Sequence, residues 1–414
     1  MPETSCRKVL RRPSVGRFWL ALLGFTVLAP ATEAAAQDKQ LLITASTRYD
    51  DNIRRASDAA NEGLGHGGAD MVTYVSAAGQ IGTRLGGFDL SMGGNAGQSV
   101  FWWNSQFNAL DYGTQGKVEY DGARGMLVIE GAHRRRPIAL DEVTSTLNLR
   151  QYLTQANAEA SREVLGAIRM VGHFEYQRSQ TSSATGRRND GRVVGFGGGI
   201  GYFSPTGNHV TFEYRERRSD GLLDSFVVID GARVAYRTRF RETSLVTRIL
   251  YAPSVVTRVE GSVGYTKHDD RSILDTDFTG MLADVSVTWS PTPSLTVTPR
   301  LRKAFGTENA LFSNGVKVTS YGIGAKGMLG THVNWSAYIN REDRRFRYDL
   351  RADDPTLLAR RERTDRMGMG LSYTTGMKVQ IGLNYERIRR KSDLAGFVFT
   401  DNAITLTLTR GLDF

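Results

Sequence analysis

The chain has one cysteine in 414 residues, and that cysteine, Cys6, precedes the first apolar segment. Disulfides, thiolate catalysis and Cys-based metal binding are therefore excluded from everything after it. Proline is scarce at 10, against 45 glycines. No apolar run in the body of the chain approaches the length a membrane helix needs, and the mean hydropathy is −0.33. A helical membrane protein is excluded on both counts. Histidine is also sparse; His66, His133, His173, His209, His268 and His332 show no ligand spacing, and no Gly-x-Ser-x-Gly elbow is present. No cofactor is implied, no residue is nominated for catalysis or metal binding, and the expectation is that the protein is not an enzyme.

What is present begins with an export signal. Arg7, Lys8, Arg11, Arg12 and Arg17 form a basic region ahead of the apolar segment 18–29, and Ala34-Ala35-Ala36 offers a small-residue cleavage site before Gln37. Residues 1–36 are expected to be a signal peptide and 37–414 the mature domain. The formal net charge is +10. The signal holds those five bases against Glu3 and Glu33, so the mature chain keeps +7. For an exported basic protein the partners are anionic glycans and lipid phosphates rather than nucleic acid.

Residues then alternate with period two, the signature of strands with one apolar and one polar face. Met281, Ala283, Val285, Val287 and Trp289 alternate with Leu282, Asp284, Ser286 and Thr288. Val259, Val263 and Tyr265 alternate with Arg258, Glu260 and Ser262, and Val379, Ile381, Leu383 and Tyr385 with Gln380, Asn384 and Glu386. Short connections (121–124, 204–208, 290–294, 374–376) alternate with long charged ones (roughly 178–192, 218–231, 267–277, 306–316, 341–366, 390–397). Outer-membrane barrels sort their connections this way, with short periplasmic turns and longer external loops. Aromatics fall at both ends of the apolar face: Tyr176, Tyr236, Tyr265, Tyr321 and Tyr385 toward the long loops, and Tyr202, Trp289, Trp335 and Tyr373 toward the short turns. Two such girdles mark two membrane interfaces. The fold expected is an all-β, transmembrane, antiparallel up-and-down barrel of about 18 strands, with 16 as the alternative. The 378 mature residues leave 21 for each of 18 strands with its connection.

The last strand, Ala403 to Phe414, places Ile404, Leu406, Leu408, Leu412 and Phe414 on one parity, interrupted by Arg410. A terminal aromatic on the apolar face of a closing strand is a candidate signal to the barrel assembly machinery. Gly322-Ile323-Gly324-Ala325-Lys326-Gly327 matches a dinucleotide fingerprint, but that motif needs a strand before it and a helix after it. Here it lies within a strand, so Gly322 and Gly324 read as small lumen-facing residues. Gly195, Gly197, Gly199 and Gly201 repeat the pattern and mark a bend or a place of close packing inside.

Arginine supplies the candidate site. Arg237, Arg239 and Arg241 share a parity, as do Arg215 with Arg217 and Arg300 with Arg302. With Arg134, Arg135, Arg136, Arg387, Arg389 and Arg390 they are expected near the external rim. One reading makes the first seven an electropositive, lumen-facing mouth that attracts anions. The other places them against lipid phosphate or loop acids. The segment 341–366 carries nine Arg and seven Asp or Glu, enough to pair largely with itself.

Thr47-Arg48-Tyr49-Asp50-Asp51-Asn52-Ile53, with Asp70-Met71-Val72 and Leu110-Asp111-Tyr112, resembles the opening pattern of the outer-membrane β-barrel porin 2 family, and the strands through Phe414 fit it. The resemblance implies a barrel, a pore and a link with exopolysaccharide or capsule export; it carries no catalytic residues. The expected function is an outer-membrane channel for an anionic polysaccharide or small anionic solutes, with outer-membrane lipids and lipopolysaccharide around it. The alternatives are a closed structural or binding barrel and a lipid-acting barrel enzyme.

Overall fold

A computed structural model of the chain describes residues 36–55, 57, 61, 68–137, 150–182, 190–222, 225–229, 232–237, 239–271, 277–306, 316–346 and 360–413. Of the expected signal only Ala36 falls within them, and Phe414 lies outside. The first half comprises β1 (Ala36–Asp50), β2 (Asp70–Leu85), β3 (Phe88–Phe101), β4 (Ala109–Gly122), β5 (Gly125–Pro137), β6 (Arg150–Leu165), β7 (Ile168–Thr181), β8 (Gly191–Phe203) and β9 (His209–Gly221). A small hairpin follows, β10 (Ser225–Ile229) and β11 (Ala232–Tyr236). The second half comprises β12 (Arg239–Ser254), β13 (Thr257–Asp270), β14 (Phe278–Thr292), β15 (Leu295–Gly306), β16 (Val316–Leu329), β17 (Val333–Phe346), β18 (Arg361–Thr374), β19 (Val379–Ser392) and β20 (Phe399–Asp413).

Apart from the hairpin, these strands form one 18-stranded antiparallel sheet, each paired with its neighbours. β1 pairs with β20 from Gln40↔Asp413 to Asp50↔Ala403, so the sheet closes on itself. Closure matters because an open sheet edge in hydrocarbon leaves backbone N–H and C=O groups unpaired. The expected 18 strands are all present.

The core of this protein is inverted. Ile404, Leu406 and Leu408 are exposed, as are Ile323, Ile339, Met369, Leu371 and Leu383, although all lie in regular ladders. In water such a surface would be a liability; in a bilayer it faces lipid. Tyr202, Tyr251, Trp289 and Tyr373 end this band at the short turns, and Tyr49, Tyr214, Tyr265 and Tyr321 at the long loops, all exposed. Both girdles are therefore where the alternation puts them, with one correction: Tyr236 belongs to the small hairpin, not to a descending barrel strand.

The strands also outrun the expected loops. β17 continues to Phe346 and β18 starts at Arg361, so both ends of the charged segment 341–366 are strand. Residues 347–359 lie outside the described residues.

Candidate functional site: the lumen wall

Register decides which face each charge occupies. In β9 the exposed Val210, Phe212 and Tyr214 set the outer parity. Thr211, Glu213, Arg215 and Arg217 are therefore inside. Two of the expected lumen arginines, Arg215 and Arg217, are where they were placed. Neither is a free cation. Glu213, only 1% exposed, accepts from Thr211 Oγ1 at 2.7 Å, from Arg215 Nη2 at 2.9 Å and from Arg248 Nε at 2.6 Å. Arg248 also pairs with Glu159 of β6. Arg217 pairs with Glu175 of β7, and its Nη1 lies 3.6 Å from Glu242 of β12. His173 and His268 stand 3.6 Å from Glu213 and Glu242 respectively. Bases and acids thus alternate around the inner wall of β6–β12.

The glycines of β8 make room for this ladder. A Cβ at Gly195 would come within 2.5 Å of Glu175 Cγ, and one at Gly197 would strike the His173 ring. At Gly199 it would meet Phe212 and Glu213 backbone, 2.8 Å from the Glu213 Cα. The expected close packing is therefore the approach of β7 side chains and β9 backbone to a bare strand.

Arg300 also faces inward and is held bidentately by Asp284, Nε–Oδ1 at 2.9 Å and Nη2–Oδ2 at 2.7 Å. Arg302, on the same parity, sits directly opposite Asp284 in the ladder.

Arg239 and Arg241 are a correction: they face outward. β12 pairs without a break with β9 from Arg239↔Asp220 to Leu250↔His209, and with β13 from Phe240↔Asp270 to Tyr251↔Val259. The outer parity of Leu245 and Tyr251 therefore extends to both. Arg241 Nη2 lies 2.7 Å from Glu216 and Arg239 Nε 3.0 Å from Asp220, both on the outer face of β9. Arg237 lies between the hairpin and β12, outside the barrel strands.

Sequence reasoning missed two polar surfaces of the lumen. A cleft of about 610 Å³ is lined by Lys326, Asn334, Ser336, Ser372, Gln380, Asn384, Thr407 and Thr409 among others. One of about 300 Å³ lies against Gln80, Ser91, Gln115, Gln155, Asn157 and Arg134. Hydroxyls and amides at alternate strand positions were the available signal. Lys326, Arg134 and Arg366 face inward, and among the described residues none has a carboxylate within ion-pair distance.

The motif residues of the first loop close the mouth end of the seam. Asp51 accepts from Asn402 N at 2.6 Å and Asn402 Nδ2 at 2.7 Å, and its own N–H donates to Asn402 O at 3.1 Å. Asn52 Nδ2 donates to Thr400 O at 3.2 Å, and Arg55 Nε to Asp401 Oδ2 at 2.9 Å. Asp70, wholly buried, accepts from Trp102 N (2.9 Å) and Trp103 N (3.1 Å) on Oδ1. On Oδ2 it accepts from Asn104 N (2.9 Å) and Asn104 Nδ2 (3.0 Å). Asp111 takes a hydrogen bond from Tyr74 at 3.1 Å inside the barrel.

A closed 18-strand barrel with a lipid-facing band, two girdles and a polar lumen defines an outer-membrane protein of the porin-like class. Residues 253–411 match the family described as "Putative beta-barrel porin 2". A comparison with curated proteins finds no match. Among solved structures, the outer membrane protein opdK of Pseudomonas aeruginosa is similar at 9% identity and TM-score 0.47, covering 91% of this chain and 99% of its own. OccK2 (OpdF) of the same organism, in complex with glucuronate, is similar at 10% identity and TM-score 0.47 over the same shares. A BenF-like porin from Pseudomonas fluorescens Pf-5 is similar at 10% and TM-score 0.48, over 92% and 100%.

Proposed function

We propose that the barrel is a channel for hydrophilic solutes with a preference for anions, and that an anionic polysaccharide is the substrate class that fits it best. The observation that supports this reading is the pairing pattern of the lumen. Its bases and acids largely neutralise one another, while Arg134 and Lys326 remain uncompensated beside surfaces of hydroxyls and amides, and Arg366, also uncompensated, lies opposite Asn340. Hydroxyls and amides exchange hydrogen bonds with sugar hydroxyls, and isolated cations meet carboxylates along the chain. The reading assigns passage, not catalysis.

In a planar bilayer the wild type should conduct and favour anions. Arg134→Ser/Lys326→Ser/Arg366→Ser should move the reversal potential toward cations, whereas Arg239→Ser/Arg241→Ser should leave it unchanged. Unaltered selectivity in the first variant would remove the anion preference.

A second reading, a closed barrel, rests on the filled mouth above β17–β20 and β1. Ile53, Arg54, Asn61, Phe346, Arg360 and Phe399 are buried there, and the Arg360 guanidinium stacks 4.0 Å from the Phe346 ring. Absence of single-channel steps from folded, reconstituted protein would favour it.

On this reading residues 1–36 are removed on export and the barrel assembly machinery inserts the mature chain through its last strand. N-terminal sequencing of protein from the outer membrane should begin near Gln37; a retained Met1 would refute the cleavage.

A further inference from the structure

The outer face above the upper girdle differs in charge from the lumen. Among the described strand residues of β5 to β19 its acids are Glu216, Asp220, Asp269, Asp343 and Asp365, outnumbered by Arg and Lys, and Asp393 follows at the end of β19. The excess is greatest on β15–β19. There the ladder sets Lys317 directly opposite Arg345, Arg345 opposite Arg361, and Arg363 opposite Lys391. Like charges directly opposite destabilise a sheet. Neighbouring strands lie about 4.8 Å apart, so Lys317, Arg345 and Arg361 stand within about 10 Å of one another. Arg363 Nε is engaged by Asp343 at 3.0 Å and Arg341 Nε by Asp365 at 2.5 Å. Lys317, Arg345, Arg361 and Lys391 have no carboxylate within ion-pair distance among the described residues. With Lys303, Arg344 and Arg363 they border a groove of about 560 Å³, where these seven bases outnumber the three acids Asp343, Glu362 and Asp393, the first engaged by Arg363 and the second by Arg360 and Arg390. Just below, Tyr321, Ile339 and Met367 point into the hydrocarbon.

We propose that this groove binds the phosphorylated headgroup of an outer-leaflet glycolipid, its phosphates seated on Lys317, Arg345 and Arg361 and its acyl chains on the aliphatic band below. Three features meet there. The cations face the membrane rather than the pore. They are crowded, and Lys317, Arg345 and Arg361 form no ion pair of their own among the described residues. The apolar surface that acyl chains need is continuous with the groove. A free phosphate would use only the first two. Arg239 and Arg241, at the same height on β12, are already neutralised by Asp220 and Glu216, which makes them the internal comparison.

The test uses the full folded chain in detergent, with diphosphorylated lipid A as the probe and native mass spectrometry as the readout. Wild type should retain the lipid at least on the order of tenfold more tightly than Lys317→Ser/Arg345→Ser/Arg361→Ser, the scale of losing charge-assisted contacts. Arg239→Ser/Arg241→Ser should match wild type. Dephosphorylated lipid should bind wild type no better than it binds the triple variant. Because the triple variant relieves like-charge crowding, its thermal midpoint without lipid should equal or exceed that of wild type, which a merely structural role would not produce. Equal lipid retention by wild type and the triple variant would overturn the proposal. So would displacement of the lipid by inorganic phosphate at equimolar concentration, which would identify a free-anion site. If the triple variant does not fold, Lys317→Gln/Arg361→Gln takes its place, and retention equal to wild type has the same meaning.

Discussion

Gly199→Leu is expected to abolish the folded, heat-modifiable barrel. The obstacle to a side chain there is the backbone of Phe212 and Glu213 on β9, not a rotamer that can swing aside. Overpacking costs about 1–3 kcal/mol where side chains can yield; two paired strands cannot separate without losing their ladder, so the cost here lies above that range. Displacing β9 would also move Glu213 away from Arg215 and Arg248. Gly324→Ala is the matched comparison, since a Cβ there meets nothing within 4 Å, and its effect should stay within about 0.5 kcal/mol. Folded yield and the temperature at which the compact band is lost on gel electrophoresis would measure both. A Gly199→Leu protein as heat-resistant as wild type would show that β8 and β9 can part.

The second large effect is expected at Asp70. Its carboxylate holds the chain turning from β3 toward β4 through four hydrogen bonds. Asp70→Ala takes the carboxylate from the Trp103 N–H and from both nitrogens of Asn104, while Trp102 N keeps the Met71 carbonyl at 3.1 Å. A buried donor left unpaired costs about 1–3 kcal/mol, so several kcal/mol of local stability should vanish. The change should appear as fast hydrogen exchange and protease cutting over 102–108, with the strands still protected. Asp70→Asn keeps one acceptor oxygen and should fall between. Unchanged protection in Asp70→Ala would mean that this connection is held by the Phe101–Phe107 ring contact, at 5.8 Å between centroids, instead.

The barrel was legible because its faces differ in one variable that period-two reading measures well. Val285, Val287 and Trp289 needed only their spacing to be assigned to the lipid side. Strand ends were not legible in the same way. Arg341, Arg344 and Arg345 read as loop because polarity was taken as the end of a strand; in β17 polarity marks where the hydrocarbon ends while the ladder runs on to Phe346. Arg239 and Arg241 were set on the wrong face for a related reason. Between them and Leu245 no apolar outward residue keeps the count, and only the unbroken pairing with β9 and β13 shows that no residue is skipped. The contacts of Asp51 with Asn402 join positions 351 apart, and those of Asp70 with Asn104 join positions 34 apart. Nothing in local composition announces either.

The seam between β1 and β20 sets the order of events in assembly. It joins the first strand of the sheet to the last, the highest contact order the chain contains. Bringing together ends some 350 residues apart costs on the order of 5 kcal/mol in loop-closure entropy, beyond a constant. No part of that cost is recovered until the final strand arrives. Before then the curled sheet has two open edges, each a template for pairing with another chain. The bonds of Asp51 to Asn402, of Asn52 to Thr400 and of Arg55 to Asp401 form only with β20, so those bonds contribute nothing to earlier intermediates. An interaction absent from the transition state slows opening without slowing closure. The seam latch is therefore positioned to lengthen the lifetime of the finished barrel, and the rate at which the first and last strands part would report its loss before any equilibrium midpoint does.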